Sequence, residues 1–135
     1  MPSILINPEI SRHIDLGADS KFAGHARRFV RTVLWTWGLG RLADDVEQIT
    51  GELVANALPG GDYRLTLRLN LKTAFLRLEV ADHREGTPEQ RESGPEDENG
   101  RGLVIVEALA DRWGYLERPD GNTVWAELHV GRGTE

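Results

Sequence analysis

The sequence contains no cysteine among its 135 residues. This absence excludes disulfide bonds, thiol catalysis and cysteine-ligated metal centres, and it fits a protein of the reducing cytoplasm. A block of basic residues is also missing, and the net charge is −6. Domains that bind nucleic acid usually carry a basic patch, so direct binding to nucleic acid is not expected.

Long apolar runs are missing as well. No run approaches the roughly 20 residues that a transmembrane helix needs. The first ten residues, MPSILINPEI, have neither a basic region nor a cleavage-like site, so no signal peptide and no membrane association are expected. Hydrophobic residues make up 39% of the chain and charged residues 28%, which predicts one soluble, cytoplasmic domain over residues 1–135 with residues 1–10 as a loose lead-in.

Apolar residues at helical spacing indicate two helices in the first half of the chain. The first begins near Phe22 and ends at Gly38, and its apolar residues predict core packing rather than a binding stripe. The second begins near Leu42 and stops before Pro59, and the acidic residues in its first turns suit the helix dipole.

Alternation of apolar and polar residues indicates strands. Leucines at positions 65, 67, 69 and 71 predict one half-buried strand, and Leu76, Leu78 and Val80 predict its antiparallel partner across a tight connection at Lys72-Thr73. A second hairpin is expected from residues 113–117 and 123–130, and a first strand from residues 11–16.

Glu52 and Asn56 form the first candidate functional pair. They are four residues apart, so on a helix they lie on one face, beside the apolar Ile49 and Leu53. A carboxylate there can accept a proton from a hydroxyl, and the amide oxygen can complete the shell of a Mg²⁺ held mainly by phosphates. Taken alone, the pair also fits a solvated Glu and a helix-terminal Asn.

Asp82 is the second candidate, at the end of the predicted hairpin. It continues the alternation of Leu76, Leu78 and Val80, which directs its carboxylate to the packed side of the sheet. A buried acid needs a hydrogen-bond donor or a ligand. The alternation fits equally well an Asp that turns outward where the strand ends.

Residues 83–99 contain no apolar side chain and precede Gly100-Arg101-Gly102-Leu103, which opens a third helix. Long polar segments within compact domains are usually lids or disordered insertions. Glycines at a helix N-terminus allow backbone N–H groups to approach a phosphate closely. We therefore predict a lid over residues 83–99 followed by a phosphate-binding helix start.

The predicted elements add up to an α/β two-layer sandwich. A mixed, mostly antiparallel sheet of four or five strands would carry three helices on one face. The candidate polar residues would lie between the two layers, where a nucleotide could contact all of them.

From about Phe22 to Leu128 the chain resembles the ATPase fold shared by histidine kinases, DNA gyrase and mismatch-repair ATPases, and most closely the small anti-sigma factor serine kinases of bacteria. Four motifs carry the resemblance: Glu52-Leu53-Val54-Ala55-Asn56-Ala57, Asp82, Gly100-Arg101-Gly102-Leu103 with the following Val106 and Leu109–Gly114, and Gly121-x-Thr123-Val124-Trp125.

The resemblance implies a role for each motif. Glu52 would be the general base, Asn56 would bind Mg²⁺, Asp82 would recognise the adenine amino group, and Gly100, Arg101, Gly102 and Leu103 would form the phosphate-binding hinge of an ATP lid at 83–99. It further implies a regulatory serine/threonine kinase that transfers phosphate from Mg-ATP to a serine of a small anti-anti-sigma-type antagonist.

Two alternatives remain open at this level. The chain would otherwise be a non-catalytic module that sequesters a sigma factor or another protein, or an ATPase module that works with a separate sensor. Each of these expects a protein partner. Small members of this family often form dimers, so a homodimer is an open expectation.

Overall fold

The computed structural model describes residues 9–17, 22–57, 64–83, 100–119 and 121–131. In chain order the elements are strand β1 (Glu9–Leu16), helix α1 (Phe22–Thr36), a 3₁₀ turn (Gly40–Leu42), helix α2 (Ala43–Asn56), strands β2 (Leu65–Lys72) and β3 (Phe75–Asp82), helix α3 (Gly100–Leu109), and strands β4 (Arg112–Arg118) and β5 (Gly121–His129).

The strands form one five-stranded sheet in the order β1-β2-β3-β5-β4. Each pairing among the described strands is antiparallel. The two hairpins meet where β5 pairs with β3, so the last strand of the chain lies inside the sheet and β4 lies at its edge. The β2–β3 connection is Thr73-Ala74, one residue later than the sequence predicted, and Thr73 has a φ of 52° in it.

One face of the sheet forms the floor of the hydrophobic core. The alternating residues of β2 and β3 are fully buried on that face, and Leu76, Leu78 and Val80 pair with Leu128, Ala126 and Val124 of β5. Leucine and valine at every second position make one side of the sheet apolar. Packing helices against that side removes the apolar surface from water and stabilises the fold.

The three helices cover this face. Apolar residues of α1 recur at helical spacing and are buried at Ala26, Val30 and Leu34, and α1 ends where Gly38 adopts a φ of 77°. Helix α2 packs between α1 and α3 and contacts β3 and β5. The predicted two-layer α/β sandwich is therefore confirmed. None of the described helices is both long and apolar enough to cross a membrane.

The opposite face of the sheet is covered by its own long side chains. The Arg77 guanidinium lies 4.2 Å from the centre of the Trp125 ring. That ring also lies against Gly114, where an added Cβ would come within 2.4 Å of it. Glu127 is buried beside this cluster and accepts hydrogen bonds from Arg77, at 2.8 Å, and from Arg112. Burial alone would raise the pKa of Glu127, but these two hydrogen bonds and the two positive charges lower it below its ordinary value.

Candidate functional site

Helix α2 places Glu52 and Asn56 at the margin of the core, in agreement with the helical spacing. Both residues are half-buried, whereas Ile49 and Leu53 beside them are completely buried. The pair lies in the last two turns of α2, because the helix ends at Asn56. The two side chains therefore lie at the end of a helix that packs directly on the sheet and on α3.

The acidic residues of α2 have different partners. Asp44 and Glu47 face α1, and both accept hydrogen bonds from Arg31. These contacts raise the pKa of the exposed Arg31 guanidinium, chiefly through its hydrogen bonds to Asp44 and Glu47. Glu52 lies on another side of the helix, and none of the described residues forms a hydrogen bond or ion pair with it. Asp45, in the first turn of the helix, likewise has no such partner in the described part of the chain, so Glu52 is distinguished by its place one turn before Asn56 near the end of α2.

Asn56 presents an unusual amide. Its Nδ2 is buried and has no hydrogen-bond partner among the described residues. An unpaired buried amide group costs about 1–3 kcal/mol, so this side chain fits a site that a ligand completes. Phosphate oxygens are suitable acceptors for the amide nitrogen, and a divalent cation is a suitable partner for the amide oxygen.

The described residues contain no group of three or more His, Cys, Asp or Glu that could hold a metal ion. A cation held by this part of the chain would therefore need ligands from elsewhere. Mg²⁺ commonly takes one or two protein oxygens and completes its shell with substrate phosphates and water. One amide oxygen at Asn56 fits that mode of binding.

Asp82 lies at the end of β3 on the packed side of the sheet, where the alternation of the strand directed it. Its residue is only 5% exposed. The backbone N–H of Asn122 in β5 donates a hydrogen bond to Asp82 Oδ1 at 3.0 Å, so the neighbouring strand orients the carboxylate. The Asp82 side chain is therefore directed to the packed side of the sheet and does not turn outward to solvent.

Gly121 allows this contact. Its φ is 153°, and a Cβ added there would lie 2.1 Å from the Asp82 carbonyl oxygen and 2.8 Å from Oδ1. Any other residue would have to displace the end of β3, so Gly121 lets β5 approach Asp82 closely. The sequence interpretation used Gly121 and Thr123 only to recognise the closing strand, and it missed that this turn holds Asp82.

Helix α3 begins at Gly100, as predicted, and packs against α2 through a surface that includes the fully buried Val106. The side chains of residues 100–103 lie outside the described part of the chain. Of the predicted lid at 83–99, His83 alone is described, and its Nε2 lies 2.8 Å from the Thr66 hydroxyl oxygen. The other lid residues lie outside the described ranges.

The structure brings the candidate residues onto three elements that pack together. Helix α2, which carries Glu52 and Asn56, contacts β3, which ends at Asp82, and contacts α3, which opens at Gly100. These packed elements carry a carboxylate without a partner among the described residues, an unsatisfied amide, a buried acid and a helix N-terminus. These groups suit a ligand with a polar base and a phosphate chain.

Comparisons with known proteins identify the family and the fold. The sequence profile of the histidine kinase-like ATPase domain matches residues 18–128. No curated protein gives a significant match to the chain.

Among solved structures, the fold is similar to the crystal structure of the RsbU and RsbW domains of Rv1364c from Mycobacterium tuberculosis. The TM-score is 0.64 and the sequence identity is 19%, over 89% of this chain and 32% of that one. This chain therefore spans about a third of that protein, and at this identity the likeness shows a shared fold.

Proposed function

Because the chain belongs to the histidine kinase-like ATPase domain family, we propose that it binds Mg-ATP and phosphorylates a serine of a small regulatory protein. The observation that carries this proposal is the state of Glu52. Glu47 on the same helix is bound to Arg31, whereas Glu52 has no partner among the described residues and lies one turn from Asn56. A general base needs this availability.

Each candidate residue takes one role in binding. Asp82 accepts a hydrogen bond from the adenine amino group, and the backbone of Gly100, Arg101, Gly102 and Leu103 donates hydrogen bonds to phosphate oxygens at the start of α3. Asn56 holds the magnesium ion through its amide oxygen. When bound, the metal neutralises charge on the phosphates, which is the main contribution a metal makes to phosphoryl transfer.

The transfer step needs one proton acceptor. Glu52 accepts the proton of the substrate serine hydroxyl as the serine oxygen forms a bond to the γ-phosphorus. The bond between that phosphorus and the bridging oxygen of the β-phosphate breaks, and ADP leaves. The chain's other contributions are positioning and electrostatic, as in phosphoryl transfer generally.

The proposed partner is a small antagonist of the anti-anti-sigma type, with a sigma factor as the protein that the complex regulates. The structurally similar protein contains an RsbU domain besides its RsbW domain, which supports a protein partner in general. We also propose that the chain forms a homodimer, because small anti-sigma kinases often form dimers.

The test is phosphate transfer from radiolabelled ATP to purified anti-anti-sigma-type proteins, measured together with ATP affinity. Glu52→Gln should leave ATP affinity within about threefold of wild type and reduce transfer by roughly 10²-fold, the scale of losing a general base. Glu47→Gln is the matched control, because it removes a carboxylate from the same helix on the side that faces Arg31. Its transfer rate should stay near that of wild type.

Two results would decide against kinase activity. A Glu52→Gln variant as active as wild type would remove Glu52 from the reaction. A wild-type protein that binds Mg-ATP and the partner but transfers no phosphate would identify the chain as a non-catalytic sequestering module instead.

A further inference from the structure

Asn122 carries a buried polar atom that the described structure does not satisfy. The residue is 7% exposed, and its Oδ1 has no hydrogen-bond partner among the described residues. Its backbone N–H is used, since it binds Asp82 Oδ1 at 3.0 Å. A buried acceptor without a donor destabilises a protein by about 1–3 kcal/mol, and such a cost is commonly tolerated where a ligand supplies the donor.

Asn122 and Asp82 present their side chains to the same side of the sheet. Val80 of β3 is paired with Val124 of β5, and both are buried in the core. Asp82 and Asn122 each lie two residues further along these strands, and side chains two residues apart point to the same face. The register of β3 and β5 ends with Ala81 opposite Thr123, and Asp82 and Asn122 follow as the next residues, joined by the hydrogen bond from Asn122 N–H to Asp82 Oδ1. The strand end therefore carries two neighbouring acceptors, a carboxylate and an amide oxygen.

Two adjacent acceptors are complementary to a group that donates two hydrogens from one atom. The exocyclic amino group of adenine is such a donor, and in nucleoside triphosphates with a keto oxygen at this position the same two acceptors would face a third acceptor. A charged ammonium would satisfy them too. Among the described residues, however, the pair includes one carboxylate and lies beside apolar Val80 and Val124, which favours a flat neutral base.

We propose that Asn122 determines base specificity by accepting the second hydrogen of the adenine amino group, while Asp82 accepts the first. This inference rests on the proposed ATP site and adds a residue to it. Asn122 thus acts twice: its backbone N–H orients the Asp82 carboxylate, and its side-chain oxygen binds the base directly.

The experiment compares ATP with purine riboside triphosphate, which has hydrogen in place of the amino group, on wild type and on Asn122→Leu. Both affinities are measured by calorimetry with Mg²⁺ present. In wild type, loss of the amino group should weaken binding by about 100-fold, because the base loses its two hydrogen bonds, one to Asp82 and one to Asn122 Oδ1. In Asn122→Leu only the hydrogen bond from the amino group to Asp82 remains. The affinity of this variant for ATP should therefore exceed its affinity for purine riboside triphosphate by only about tenfold.

Two further variants separate this role from a structural one. Asn122→Ala removes the acceptor without adding bulk and should show the same reduced ratio. Asn70→Leu makes the same substitution at a half-buried position of β2 on the opposite face of the sheet, and it should keep the wild-type ratio. Because Asn122 Oδ1 is unpaired, the thermal midpoint of ligand-free Asn122→Leu should equal or exceed that of wild type.

The outcomes distinguish this inference from the proposed function. If wild type prefers ATP over purine riboside triphosphate and both Asn122 variants keep that full preference, the role of Asn122 is overturned while the ATP site stands. If wild type binds neither nucleotide, the proposed function itself fails, and the inference fails with it.

Discussion

At the scale of single residues, the candidate site is marked by polar groups that the described structure leaves incomplete. Asn56 Nδ2 and Asn122 Oδ1 are both buried without a hydrogen-bond partner among the described residues. They lie on α2 and β5, elements in direct contact. Most buried polar atoms in proteins are satisfied, so each of these two amides is a candidate for contact with the proposed ligand.

Asn56→Ala should weaken binding of Mg-ATP by at least about tenfold and binding of metal-free ATP much less. The amide oxygen is proposed to hold the metal. When a cation has few protein ligands, the loss of one ligand weakens its binding by more than about tenfold. Titrations of both proteins with ATP, in Mg²⁺ and in a chelator, measure the two losses. Gln48→Ala is the control, because Gln48 is exposed on the same helix.

An equal loss of affinity with and without Mg²⁺ would show that Asn56 contacts the nucleotide or supports the fold but does not hold the metal. Thermal unfolding of the ligand-free variant separates those two cases. A buried unpaired amide contributes little stability, so the midpoint of Asn56→Ala should stay close to that of wild type.

At the scale of secondary-structure elements, β5 is held by side-chain contacts to both of its neighbours, β3 and β4. Glu127 of β5 lies opposite Arg77 of β3 and Arg112 of β4 in the strand register. The hydrogen bonds from both arginines join three adjacent strands through one carboxylate. We expect this cluster to hold β5 in the register that also sets Asn122 against Asp82.

Glu127→Gln should be less stable than wild type by about 1–2 kcal/mol at pH 7, which is the scale of charge-assisted hydrogen bonds to partly exposed partners. Glu127 has a lower pKa in the folded protein than its ordinary value of 4.5, so folding favours its ionised form. Its contribution is therefore complete above pH 4.5 and disappears as the pH falls through the lower folded pKa.

Denaturant unfolding at several pH values checks this prediction. The difference between wild type and Glu127→Gln should be constant near neutrality and shrink below about pH 4.5. Glu117→Gln serves as control, because Glu117 is exposed on β4 and its substitution should change stability little. If the difference in free energy of unfolding between the two proteins stays the same down to low pH, Glu127 stabilises the fold through packing and not through its charge.

At the scale of the whole molecule, the proposed site would couple ligand binding to folding, because its residues come from helix α2 and from strands β3 and β5. A ligand that contacts α2, β3 and β5 together binds only the assembled fold. Such a ligand stabilises the folded state according to its concentration relative to the dissociation constant.

Mg-ATP at 100 times its dissociation constant should stabilise the protein by about 2.7 kcal/mol. For a chain of 135 residues this corresponds to a rise of about 10 °C in the midpoint of thermal unfolding. Mg-GTP at the same concentration should raise the midpoint much less, because the guanine carbonyl that replaces the adenine amino group offers no donor to Asp82 and Asn122. Calorimetric scans measure both shifts, and equal shifts for the two nucleotides would contradict adenine recognition by these residues.

Much of the local structure follows from the sequence alone. The alternation of Leu65, Leu67 and Leu69 determines a strand and its buried face, because a strand repeats every two residues. The same alternation directs Asp82 inward, and the four-residue spacing of Glu52 and Asn56 sets them on one side of a helix. These features depend on backbone periodicity, which neighbouring residues determine among themselves. The predicted ends of the strands were less accurate, since the β2–β3 turn lies one residue later than expected.

The tertiary structure alone decides which strands meet. Nothing local in β3 or β5 indicates that Ala81 will pair with Thr123, since 42 positions of chain separate them. That pairing depends on how the whole core closes, and it sets Asn122 beside Asp82 and buries Glu127 between two arginines. From sequence, Asn122 is an ordinary turn residue. It becomes a candidate for base recognition because folding joins its backbone N–H to the Asp82 carboxylate, buries its amide oxygen and supplies no donor for that oxygen among the described residues.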